Sequence, residues 1–163
     1  MADLPSIDDA NVRGPAYYVA SARVNCQHCG IATVVMALAV PHDHETRQED
    51  GDIEPWQRVS VAAMLFYVTS LPIAVQARLS RLSSRYQPAS SDAALGSYWS
   101  NHCDHCGVLL GDHDLHCEPD GAFVPSSAAQ AQEIQILRIP EPFEAAATGY
   151  ALEPEFFEFM RKA

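Results

Sequence analysis

The sequence contains a single lysine, Lys162, and only 10 basic residues in all against 21 acidic ones. The formal charge of -11 argues against a polyanion as the main partner, because phosphate binding rests on clustered Lys and Arg. No apolar run approaches the roughly 20 residues of a transmembrane helix. The longest, Ile31–Val40 and Val59–Val68, have the length of a strand or short helix. The opening MADLPSIDDANVRG lacks the basic and apolar regions of a secretory signal, so a cytoplasmic location is expected. Also missing are a glycine-rich phosphate loop, a Gly-x-Ser-x-Gly elbow and a His-Glu-x-x-His helix. The zinc-deaminase pattern fails twice: His44 adjoins Glu45 with no residue between, and His102, not proline, precedes Cys103.

What is present suits one packed domain. The chain has 163 residues, of which 48% are hydrophobic. Residues 1–15 read as a flexible polar lead and 16–163 as a single domain. Tyr17–Asn25 is β-prone, and Ile31–Val40 reads as a buried strand stopped by Pro41. Residues 41–55 read as an acidic loop, and Trp56–Thr69 alternates as a strand. In 70–82, Leu71, Val75, Leu79 and Leu82 share one helix face behind Pro72, and Arg78, Arg81 and Arg85 suit its C-terminal dipole. Residues 87–97 read as a small-residue linker. Val108–Leu110 and Leu115–Cys117 read as short strands, and Pro119–Gly121 as a turn. Ser126–Glu133 is expected to form a short capped helix, Glu133–Ile139 a strand and Pro154–Met160 a terminal helix. The aromatic residues read as core filling, not as a stacking platform for nucleotides.

Two stretches share a layout. YYVASARVNCQHCG (17–30) and SYWSNHCDHCG (97–107) each run from aromatics through an Asn to Cys-x-His-Cys-Gly. Two cysteines separated by two residues can face one ion across a tight turn, and the following Gly permits positive φ and room for amides beside sulfur. Cys26, Cys29, Cys103 and Cys106 are therefore the expected ligands of one structural Zn²⁺ per chain, with iron in the same tetrahedron as the variant. Alternatives are redox pairs, which need a helix N-terminus to activate the thiol, and structural cysteines without metal.

The two CxxCG units resemble those of the zinc-ribbon and rubredoxin-like group, in which knuckles on β-hairpins clasp one ion. The resemblance implies an α+β domain built on a zinc-ribbon-like pair of hairpins. The 73 residues between Cys29 and Cys103 then form a helix-containing insertion at about 41–97. The expected function is a small acidic zinc protein, a protein-interaction module acting as adaptor or inhibitor of a basic partner. The alternative is a metal-dependent hydrolase using the cluster at 112–117. There His113, His116 and either His42 or His44 would ligate, beside Asp112, Asp114 and Cys117.

Overall fold

A computed structural model describes residues 9–47, 56–91, 96–118, 121–152 and 157–162. Twelve strands of these residues join in one sheet, so the molecule is mostly β. The expected α+β zinc-ribbon architecture is not what forms. The residues assigned to a helical insertion contribute strands to the sheet, including Ala63–Ser70 at its centre, and only one helix, of ten residues.

The main path of the sheet runs β12-β10-β2-β3-β6-β11-β1-β4-β5. Its middle comprises β2 (Tyr17–Asn25), β3 (Ala32–Val40), β6 (Ala63–Ser70) and β11 (Phe143–Leu152). Strand β10 (Gln135–Ile139) covers one edge of β2, and β12 (Arg161–Lys162) runs parallel to it outside. On the other flank lie β1 (Val12–Gly14), β4 (His44–Thr46) and β5 (Gln57–Val59). Part of the expected lead is thus a sheet strand, with Val12 buried. Residues 1–8 of that lead lie outside the described residues.

Both faces of the central strands are covered, which explains why β3 reads as a continuous apolar run instead of an alternating one. One face carries Val19, Leu38, Val40 and Leu65 and packs under α1 (Ile73–Leu82) through Val75 and Leu79. The opposite face carries Ala20, Ala22, Ala37 and Ala39 and receives Leu115, Phe123, Ile134 and Met160. Small side chains on that face let irregular segments lie close to the backbone. Ser127 caps the short α2 (Ala128–Ala131) by accepting from Gln130 N–H. In the C-terminal stretch expected to be a helix, 153–156 lie outside the described residues and Phe157–Phe159 make one 3₁₀ turn.

Two more expectations are corrected. The supposed linker begins with strand β7 (Tyr86–Ser91), hairpin partner of β8 (Gly96–His102). Residues 115–117 belong to a π-helical turn, His113–Cys117, and are not a strand. Nothing in the sequence reading anticipated β11. It pairs with β6 from Ala146 to Leu152, with a bulge between Ala146 and Ala147, and with β1 from Phe143 to Ala145. At that bulge the Asn11 side chain takes the place of a strand residue. It donates to the Ala147 carbonyl (2.8 Å) and accepts from the Ala147 N–H (3.0 Å).

The fork that positions the cysteines lies on β6. Its first half pairs with β3, from Leu38↔Leu65 to Val40↔Ala63, and its second half meets β8 at Val68↔Trp99. Strands β3 and β8 therefore lie side by side without a regular ladder between them. Side chains supply the missing bonds. Buried Asn101 accepts from Met36 N–H (2.8 Å) and donates to the Met36 carbonyl (2.9 Å). Thr33 Oγ1 accepts from Asp104 N–H (3.0 Å).

Candidate metal centre

Each cysteine pair sits in a hairpin turn. The first closes β2–β3, and the second joins β8 to β9 (Leu109–Leu110). The two turns have the same bonding. Cys26 N–H donates to the Ile31 carbonyl and Gly30 N–H to the Cys26 carbonyl. Cys103 N–H donates to the Val108 carbonyl and Gly107 N–H to the Cys103 carbonyl. Gly30 and Gly107 have φ of 76° and 75°, the left-handed conformation for which glycine is the low-cost residue. That conformation brings an amide onto the second sulfur of each turn: Ile31 N–H bonds Cys29 and Val108 N–H bonds Cys106.

The sheet fork brings the two turns together. Cys26 Sγ lies 3.7 Å from Cys106 Sγ, and Cys29 Sγ lies 3.7 Å from Cys103 Sγ. All four sulfurs fall within 4.8 Å of one another. A disulfide needs about 2.05 Å, and all five cysteines are free thiols. Sulfurs placed about 2.3 Å from a central ion in a tetrahedron are about 3.8 Å apart, so the cross-turn contacts have the length of tetrahedral edges. Four soft donors at this spacing fit a metal ion. Cys26 and Cys103 are buried, Cys29 half-buried and Cys106 exposed.

Backbone amides also set the charge distribution among the thiols. Hydrogen bonds from Cys106 N–H and His105 N–H lower Cys103 to about 6. At Cys106 the Val108 N–H bond acts in the same direction, but desolvation and the thiols of Cys103, Cys26 and Cys29 outweigh it and push that group up to about 12. Amide donors are thus concentrated on Cys103, which is fully buried. Neither pair opens a helix, the feature that activates redox thiols.

The docking residues beyond the cysteines are Asn101, Thr33 and Asp104. Asn101 could be suspected from the layout shared by the two stretches. Thr33 and Asp104 carry no sequence signal, because their role depends on a neighbour some 70 positions away.

The second expected cluster does not assemble as proposed. His116 is stacked between Phe66 and Phe123, with ring centroids 5.0 Å away on each side, and burial lowers its pKa to about 3. His44 is fully buried: Nδ1 donates to the Pro41 carbonyl (2.7 Å) and Nε2 accepts from the Tyr150 hydroxyl (2.5 Å). His42 is exposed and bonded to Asp43. His113 meets Asp114 and Glu118 on the surface, and Cys117 is exposed at the end of the same turn. Asp112 is buried and bonds Tyr67 N–H.

The aromatics largely fill the core, with Tyr17, Tyr86, Tyr98, Trp99 and Phe123 buried. Trp56 is half-buried under the guanidinium groups of Arg13 and Arg47. No helix among the described residues is long and apolar enough to cross a membrane. Comparison with protein-family models, curated proteins and solved structures finds no match to this chain.

Proposed function

We propose that this chain is an acidic, zinc-stapled protein-interaction module. The observation that carries the reading is the convergence of four sulfurs from two hairpin turns, at tetrahedral-edge spacing across the turns. Zinc suits the set because it accepts four thiolates without geometric preference from d-electrons and does no redox chemistry. The ion would leave no open position for substrate, so its role is structural. The two knuckle turns are the part of the chain that supports the resemblance to zinc-binding hairpins.

The acidic surplus supports a basic protein partner. Four thiolates around a divalent ion make the domain more acidic still, which steers cationic surfaces toward it and repels nucleic acid. The reading includes a reducing, cytoplasmic setting, supported by five thiols with no disulfide among them.

Metal analysis of the purified full chain tests the centre. One zinc per chain is expected, and Co²⁺ in its place should give the visible spectrum of a tetrahedral thiolate site. Cys103→Ser should lose the metal and, with it, the order of the two knuckle turns, read as fast amide exchange at 26–31 and 103–108. Iron would announce itself by strong visible colour. A chain whose knuckle turns are equally well protected without metal, or that keeps its metal in Cys103→Ser, would overturn the assignment.

A further inference from the structure

Strand β2 is longer than one of its two partners. It pairs with β3 from Tyr18 to Asn25, but with β10 only from Tyr17 to Ser21. In an antiparallel ladder the N–H and C=O groups of successive residues point to opposite edges. Cys26 donates to Ile31 across the hairpin, and that bond sets the phase. Ala22 and Val24 turn toward β3, while Arg23 and Asn25 turn outward.

The ladder with β10 has ended by then. Among the described residues no backbone group meets Arg23 or Asn25 on the outer edge. The chain leading into β10 turns away: Ile134 N–H returns to the Ala131 carbonyl, and the Ile134 carbonyl accepts from Arg161. Beside this edge lie two cavities, of about 720 and 370 Å³, which share Val24, Asn25, Gly121 and Ala122. Together they form one trough that passes the first knuckle. Small apolar side chains, Ala22, Val24 and Ala122, share its walls with the charged Arg23, Glu133 and Arg161, and Asp114 lines the cavity beside the knuckle.

We infer that the outer edge of β2 at Arg23–Asn25 is a strand-addition site for an extended segment of a basic partner. The segment lies antiparallel to β2, in line with β10, and bonds the four outward backbone groups. Its alternate side chains are small and apolar and enter the trough, and a Lys or Arg reaches Asp114. A second copy of this chain is a poor occupant, because antiparallel pairing of two such edges brings Arg23 close to its own counterpart. Among the terminal strands of the sheet, β7 contains Pro88, and β5, β9 and β12 are three, two and two residues long. The inference rests on the protein-interaction reading and gives it a surface.

The test uses the full metal-loaded chain and a phage-displayed library of random peptides. In the free protein, amide exchange should be fast at Arg23 and Asn25 and slow at Ala22 and Val24. Enriched peptides should alternate small apolar residues, contain Lys or Arg, and protect the Arg23 and Asn25 amides. Arg23→Pro removes one outward N–H, which an edge position tolerates, and should weaken binding about tenfold or more while metal content stays the same. Ala122→Phe fills the trough without touching the ladder and should also abolish binding, which covers the case in which Arg23→Pro does not fold. Slow exchange at Arg23 and Asn25 in the free chain would overturn the site. So would a library that yields no binder, or peptides that protect other amides or bind both variants as tightly as the parent. Metal content on the same samples separates the two readings: a metal-free chain that still adds a strand sinks the zinc staple and leaves the edge standing.

Discussion

Tyr67 is a bulky residue with φ of 50°, a left-handed conformation that costs about 1–3 kcal/mol outside glycine. Its N–H is held by Asp112 Oδ2 at 2.8 Å, and Asp112 N–H donates to the Tyr98 hydroxyl at 3.3 Å. Burial pushes the Asp112 carboxyl up to about 7, against the pull of the Tyr67 N–H. The unfolded chain loses this proton near pH 4. Between about pH 4 and 7 the folded state therefore holds a proton that the unfolded state has released, and stability falls as pH rises through that window. Above it the cost is constant. Asp112→Asn keeps the acceptor for Tyr67 and removes the ionisation. Its stability relative to the parent should rise between pH 5.5 and pH 8, as measured by urea unfolding at both values. An equal difference at the two pH values would show that the carboxyl does not titrate in this range. At this scale the four cysteines were legible, because soft donors at fixed spacing announce themselves. The histidines were not: residue type says metal-capable, and only packing reveals that Phe66 and Phe123 enclose His116.

Among the elements, those with a strong local signal were readable. Strand β3 is rich in β-branched residues, β2 combines tyrosines and valines with partial alternation, and α1 follows a Pro with one apolar face. Strand β11, FEAAATGYAL, has neither alternation nor β-branched density, and Ala145–Ala147 are buried because β6 and β1 flank it. Its Gly149 lies under the Phe66 ring, where a Cβ would come within 2.2 Å of that side chain. Strand β7 was hidden in the same way, since YQPASS has linker composition and becomes a strand through β8. Two asparagines mark where ladders break, Asn11 at the β11 bulge and Asn101 between β3 and β8, each presenting its amide as a surrogate peptide group. Asn101→Ala leaves the Met36 N–H and carbonyl unpartnered in a buried seam. The expected loss is about 2–3 kcal/mol by chemical denaturation, together with weaker metal retention, because that seam holds the second turn against the first. Asn25→Ala, exposed one residue before the first turn, should cost less than about 0.5 kcal/mol. Equal losses would mean that the seam adds nothing to docking.

For the whole molecule, the sequence pattern could state that distant thiols meet but not by what route. The 73-residue separation is bridged because β6 accepts β3 along its first half and β8 along its second. That arrangement is a matter of long-range pairing, which no local window encodes. It also makes the metal centre an edge device. The turns bearing the sulfurs project from one end of the fork, while Leu38, Val40, Leu65 and Val75 pack around the middle of the sheet. The apolar burial on both sheet faces does not depend on the thiols. Chelation should therefore split the molecule into two tiers of stability. Amide exchange should accelerate at 26–31 and 103–108, and at Met36, whose N–H bonds the Asn101 side chain. Amides of Leu38, Ala39 and Leu65 should stay slow, because the β2–β3–β6–β11 ladders and both core clusters persist. Acid should act like the chelator, since protons compete with the metal for the thiolates. Uniform acceleration across both tiers on metal removal would mean that the ion sustains the entire sheet, and the fork would then be a consequence of metal binding instead of its cause.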